Sequence, residues 1–187
     1  ARASGPPATS SRNESNASAS SATVWGGRST PSAVAIVSPF YYRLSPAGVL
    51  TTLVSFGGAN GAGPDSGLVA GADGAFYGLT SGGGAGGFGT AFRLTLDGVI
   101  TTLVSFTGPS GPAVGSVPGG LMRHADGFFY GVTQAGGAGG FGTVFRMSAA
   151  GALTTLVEFT GTTGAVRGAA PVGVLAASGS TLYGVTR

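Results

Sequence analysis

The sequence predicts an all-β fold, a propeller-like array of four-stranded antiparallel blades of about fifty residues each, and three observations predict it. Several motifs recur in order with one spacing. Asp-Gly pairs punctuate the two whole units, with the next such turn replaced around Ser178-Gly179-Ser180. The last strand of a unit is apolar on both of its faces.

The repeat is carried by linked motifs. Thr-Thr-Leu-Val-x-Phe occurs at Thr51 to Phe56, Thr101 to Phe106 and Thr154 to Phe159. Tyr-Gly-x-Thr begins at Tyr77, Tyr130 and Tyr183. Gly89-Thr90-Ala91-Phe92-Arg93 returns as Gly142-Thr143-Val144-Phe145-Arg146, and Tyr42-Arg43-Leu44 is an earlier echo of Phe92-Arg93-Leu94.

In the best-defined unit the first strand is expected at Gly67 to Gly71, the second at Phe76 to Thr80, the third at Thr90 to Thr95 and the fourth at Val99 to Phe106. Asp73-Gly74 separates the first pair and Asp97-Gly98 the last pair, and Asp126-Gly127 repeats the first turn one unit later. Asp-Gly supplies the positive φ angles of a tight hairpin, so both junctions read as antiparallel. The second and third strands are joined by Ser81 to Gly89, mostly glycine and therefore a loop.

In the fourth strand, strict alternation puts Ile100, Val104 and Phe106 on one face and Val99 and Leu103 on the other. Both faces need cover, as in blades stacked around an axis. A parallel β-solenoid is the alternative, but its rungs are shorter and need no Asp-Gly hairpins.

This register divides residues 39–187 into a half unit at 40–56, whole units at 67–106 and 119–159, and a half unit at 172–187. The array is therefore expected to be incomplete, a piece of a longer protein with open strand edges that invite self-association. Residues 1–38 are rich in Ser, Ala and Pro and read as a poorly ordered leader or linker. Within them Trp25-Gly26 sits at the spacing of a degenerate second strand, and Asn13-x-Ser15 and Asn16-x-Ser18 match glycosylation sequons.

Composition narrows the function classes. Charged residues make up 8% of the 187, the net charge is +3, and the nine basic residues are all arginine, scattered along the chain. No basic stripe results, which argues against nucleic acid as partner. With no cysteine there is no disulfide, thiolate nucleophile or Cys metal site. No apolar run approaches the ~20 residues of a membrane helix.

Gly84-x-Gly86-x-x-Gly89 and Gly137-x-Gly139-x-x-Gly142 match a dinucleotide fingerprint as text, but a strand follows each where the fingerprint needs a helix. Four Asp and two Glu, mostly in turns, are a poor ligand supply for a hard cation such as calcium. No metal and no cofactor is expected. His124, the single histidine, stands just before a turn and reads as a solvated loop residue.

Arg43, Arg93 and Arg146 share one repeat position. A ring of guanidinium groups could meet an anion, but a residue present in every unit more simply builds the unit, here by pairing with turn carboxylates or carbonyls. Tyr77, Tyr130 and Tyr183 are read the same way, as stacked core aromatics.

With these motifs in place, the chain resembles the GloVer (Gloeo-Verruco) tandem-repeat family of bacterial extracellular proteins. The resemblance covers roughly residues 40 to 187 and leaves the leader out. It implies an extracellular or cell-surface setting. The family has no assigned chemistry, so no catalytic residues carry over and no enzyme activity is expected.

Antiparallel order puts the Asp-Gly turns on one rim. The glycine loops and the non-repeating stretches Gly57 to Ser66, Thr107 to Pro118 and Thr160 to Pro171 fall on the other. Rigidly held loops are where binding usually resides. Asp65 and Arg167 in those stretches, with Phe88 and Phe141 in the glycine loops, are the candidate binding residues. The two phenylalanines read either as platforms for a sugar or partner or as plugs for the neighbouring blade. The partner to expect is a glycan or an extracellular protein. The alternative is a secreted polysaccharide-acting propeller enzyme whose active site lies on other blades.

Overall fold

The computed structural model describes residues 39–187, so the readings made for the leader, Trp25-Gly26 and the sequons lie outside the described residues. Twelve strands follow one another with no helix among the described residues. They are β1 Phe40–Leu44, β2 Leu50–Ser55, β3 Val69–Ala70, β4 Phe76–Thr80, β5 Thr90–Leu94 and β6 Ile100–Ser105, then β7 Ser116–Arg123, β8 Phe129–Ala135, β9 Thr143–Met147, β10 Leu153–Glu158, β11 Val172–Ser178 and β12 Thr181–Val185. They form two four-stranded sheets, β3-β4-β5-β6 and β7-β8-β9-β10, preceded by the pair β1-β2 and followed by the pair β11-β12. Every pairing between strands is antiparallel and within one unit. A parallel solenoid is thereby excluded. β12 and β1 are not paired with each other, so the array is open.

The first correction concerns the turns. Asp73, Asp97 and Asp126 are absent from the positive-φ residues, and only the following glycine is left-handed, as at Gly98 with φ 92°. Thr95 N–H bonds to Val99 O and Gly98 N–H to Thr95 O. That is a three-residue loop, a type I turn closed by a left-handed glycine, not a two-residue hairpin. The Asp is there for its side chain: Asp126 Oδ1 accepts from Phe128 N–H at 3.0 Å.

The second correction concerns the fourth strand. Ala91 lies opposite Val104, but Phe92 lies opposite Thr102, so Leu103 is an extra residue, a β-bulge. Leu53 and Leu156 are skipped in the same way. The bulge breaks period two, so Ile100 packs with Phe92 and Leu94 on the face toward β1-β2. Val104 and Phe106 join Tyr77 and Leu79 on the opposite face. Both faces are covered as expected, but by a different partition. The bulged residue also docks the units: a Cβ on Gly98 would lie 3.0 Å from Leu53 O, and one on Gly151 would lie 2.9 Å from Leu103 O.

Between the whole units the core joins Tyr77, Leu79, Val104 and Phe106 of the first to Leu121, Phe129, Phe145 and Met147 of the second. Tyr77 stacks on Phe129 with ring centroids 4.2 Å apart, and Phe106 meets Phe145 edge-on at 5.3 Å. Gly78 explains the Tyr-Gly motif. A Cβ there would sit 2.5 Å from the Phe92 ring, so the glycine is the slot for the third-strand aromatic. Thr80 and Thr90, both fully buried, join hydroxyls at 2.9 Å, and Thr133 and Thr143 repeat the pair at 2.9 Å.

Val117 carries a positive φ of 52° and Ala170, one unit later, 44°. A β-branched residue is strained there by about 1–2 kcal/mol. The N–H of each bonds back to the glycine loop, Val117 to Phe88 O at 3.2 Å and Ala170 to Phe141 O at 2.9 Å. Val117→Gly should therefore raise stability by roughly 0.5–1 kcal/mol net of the entropy glycine loses on folding. A lower urea midpoint for this variant would show that the Val117 side chain contributes more than its strain costs.

Candidate functional site

The residues that recur are used to build the blade. Asp73 Oδ2 accepts Arg93 Nε–H at 2.7 Å and Tyr77 O–H at 3.1 Å, and Asp73 Oδ1 accepts Ala75 N–H at 3.3 Å. The Arg93 bond first, and then the Ala75 and Tyr77 bonds, hold the Asp73 carboxyl below the usual carboxylate range. Burial, followed by the neighbouring carboxylate, pushes Tyr77 up.

In the next unit Tyr130 O–H donates to Asp126 Oδ2 at 2.7 Å, while Arg146 lies over the Phe128 ring at 4.6 Å instead of pairing with the carboxylate. Arg43 is exposed on β1. Tyr77 is a core residue and Tyr130 half-buried, but Tyr183 is exposed. The stacked-aromatic reading thus fails for Tyr183, because β11-β12 has only two strands and no described sheet lies on that side of it.

His124 is not a free loop histidine. Its Nε2 lies 3.0 Å from Gly179 O at the β11–β12 turn, and its Nδ1 lies 3.2 Å from Asp126 Oδ1. The Gly179 carbonyl, then the Asp126 carboxylate, raise its pKa above the usual value. A raised pKa adds stability that is fully present below about pH 6.5, the unfolded value, and is lost as pH climbs through the folded one. The thermal midpoint of the chain should fall as pH rises upward from about 6.5. In His124→Gln that slope should flatten; an unchanged slope would assign it to another group.

The expected rim exists. Gly84 N–H bonds to Gly58 O at 2.8 Å and Gly137 N–H to Gly108 O at 3.4 Å, so each glycine loop lies against the connection that enters its own unit. Phe88 reaches forward: its ring covers Gly108 of the next connection, where a Cβ would be 2.8 Å away, and Phe141 covers Gly161 likewise. Both rings stay partly exposed.

On this rim the first strands of three successive units converge on a cleft of about 570 Å³. Its walls come from β3, β7 and β11, with Leu68, Leu121 and Val174 among the apolar residues. Its polar groups are Asp65, Ser66, Ser81 and Gln134. Asp65 is exposed and accepts Ser81 Oγ–H at 3.0 Å through Oδ2. Ser66 Oγ is tied to Leu79 O and N, both at 3.0 Å.

The structure therefore brings Asp65 together with Ser81 and Gln134, which sequence reasoning did not single out. It leaves Arg167 in a separate recess of about 450 Å³ beside β12. A usable signal was present in the repeat: Ser81 and Gln134 hold one repeat position, as do Asp65, Pro118 and Pro171, and the residue changes from unit to unit.

Among the described residues no group of three or more His, Asp or Glu is placed to hold a metal ion, and no helix is long and apolar enough to cross a membrane.

Comparison with known proteins gives two findings. A profile described as the Gloeobacter/Verrucomicrobia repeat matches residues 8–187, reaching further toward the N-terminus than the motif resemblance did. The crystal structure of selenomethionine-substituted virginiamycin B lyase from Staphylococcus aureus is similar with a TM-score of 0.53 at 18% identity. The likeness covers 78% of this chain and 41% of the lyase, so the chain spans less than half of that protein. At that identity the likeness shows the fold alone, a propeller-like one. No curated protein matches the chain.

Proposed function

The chain belongs to the Gloeobacter/Verrucomicrobia repeat family, and on that premise we propose that it is a non-catalytic extracellular binding module whose ligand, a glycan or protein, sits at the rim cleft. One observation carries this reading. Recurring polar residues of the two whole units bond within their blades, as Asp73 does with Arg93 and Tyr77 and Asp126 with Tyr130, whereas those that change from unit to unit, Asp65 with Ser81 and Gln134, meet at one opening.

That division is what a scaffold with a specialised surface requires. Asp73 binds both Arg93 Nε–H and Tyr77 O–H, which gives these recurring residues a role in building the blade. Asp65 has one carboxylate oxygen outside the Ser81 bond, and the Gln134 amide stands across apolar walls. Planar carboxylate and amide groups suit the hydroxyls of a sugar or the backbone of a peptide.

The experiment is a glycan array and a cell-surface protein pull-down with the 187-residue chain, repeated with Asp65→Ala and Gln134→Ala. The reading expects binding that either substitution weakens at least tenfold with the fold unchanged. Binding indifferent to both substitutions, or no binding to any surface, would overturn it. So would turnover of a bound substrate that Asp65→Ala abolishes.

A further inference from the structure

The rim cleft is chemically one-sided, which narrows what it can hold. Of the residues that line it, Asp65 alone carries a charge, and none is aromatic. No aromatic face is there for a sugar ring to stack on. Among the described residues the two ion pairs join Arg93 to Asp73 and His124 to Asp126, so no cation pairs with Asp65. Its neighbour Ser81 serves two acceptors, with Oγ 3.1 Å from Gly63 O and 3.0 Å from Asp65 Oδ2. A hydroxyl has one proton for the two, so the Asp65 carboxylate keeps capacity for a further donor. The charge is particular to this place: the same repeat position holds Pro118 and Pro171 in the later connections.

Val117, which also lines the cleft, is a second and independent sign. Its φ of 52° is strained for a β-branched residue, and its side chain is still 38% exposed. The next unit makes the same turn with Ala170 at φ 44°. The backbone therefore does not call for valine, and a side chain this exposed gains little from burial. Strain kept beside a cleft without structural return points to a contact with something outside the chain.

On the reading of the rim cleft as a binding site, we propose that its ligand is a protein segment presenting a lysine side chain. The ammonium meets the free oxygen of Asp65, and the four-carbon stem lies along Val117, Leu68 and Leu121. Lysine fits better than arginine because one free carboxylate oxygen suits a point charge, whereas a guanidinium fork uses both. The Gln134 amide, with a donor and an acceptor, takes the peptide backbone. All these residues belong to the two whole units or to the connection that enters the first.

The test is a nuclear magnetic resonance titration of the 187-residue chain with two blocked five-residue peptides. Both are alanine except at the centre, which is lysine in one and norleucine in the other. Norleucine keeps the stem and drops the ammonium. The lysine peptide should bind about fivefold tighter, the upper end for an exposed ion pair, and shift the signals of Asp65, Ser81 and Val117. In Asp65→Asn the two peptides should bind alike. Val117→Ala, which copies Ala170, should weaken both about threefold and keep their ratio. The spectrum of each variant reports whether its fold is intact.

Equal binding of the two peptides to the unsubstituted chain would overturn the proposal, as would a lysine preference that survives Asp65→Asn. Val117→Ala without effect on either peptide would overturn the stem contact. If neither peptide binds while a glycan does, lysine recognition is wrong and the cleft is still a binding site. If nothing binds there, both readings fall.

Discussion

Replacing Gly120 with alanine is expected to detach the β11–β12 hairpin from the second blade and to cost about 3 kcal/mol or more, because the new methyl group meets backbone and not side chain. Its Cβ would lie 1.9 Å from Gly173 O, 2.5 Å from Gly173 C and 2.8 Å from Val174 Cα. No rotamer change relieves such a clash, so the first strands β7 and β11 must move apart. That movement uncovers Leu175 and Pro171, both now buried.

Urea unfolding measures the cost, and limited proteolysis in 160–171 reports the detached hairpin. Gly119→Ala is the control, since its nearest neighbour would be a flexible Gln134 side chain at 3.6 Å. It should change stability by less than about 0.5 kcal/mol. A Gly120→Ala variant as stable as Gly119→Ala would contradict the contact between these strands.

The second large effect is a coupling. Phe92 is fully buried against Tyr41 and Phe56, with ring centroids 5.6 and 5.5 Å away, and Phe92→Ala should cost about 3–5 kcal/mol. Gly78→Ala should cost about 1–3 kcal/mol, because the Phe92 ring occupies the space its Cβ needs. The three atoms nearest to that Cβ are side-chain atoms, two from Phe92 and one from Leu68.

Removing the ring gives the methyl group room. The double variant should therefore lose less than the sum of the two single losses, by about 1 kcal/mol or more. Strict additivity would mean that Gly78 is required for some reason other than the slot.

Both effects involve residues of the repeating unit, and the unit is what the sequence makes legible. Tyr77, Gly78 and Phe92 act on neighbours within the blade or an adjacent one, and their counterparts Gly131 and Phe145 do the same in the next whole unit, so this packing shows in the sequence as spacing. The half units and the two rims follow from that spacing with antiparallel order.

What alternation could not reveal is the bulge at Leu103. Thr-Thr-Leu-Val reads as a regular strand, and the skipped residue appears only when Phe92 is seen opposite Thr102. The turn type was hidden for a related reason, since Asp-Gly serves both two- and three-residue hairpins. His124 and the rim cleft were illegible because their partners are distant along the chain. Gly179 stands 55 residues from His124, and the cleft joins Asp65 to Gln134 and Val174. The unit-to-unit variation at Ser81 and Gln134, and at Asp65 and Pro118, was the trace of the cleft in the sequence.

The central claim is that each unit is an antiparallel four-stranded blade with a bulge in its fourth strand, stacked face to face on the next. Backbone proton–proton contacts in solution test it most directly. The account predicts contacts between Gly78 and Phe92 and between Gly131 and Phe145, with Phe92 beside Thr102 and Leu103 left out of the ladder. A parallel ladder joining equivalent backbone positions of successive units, such as Tyr77 beside Tyr130, would contradict it.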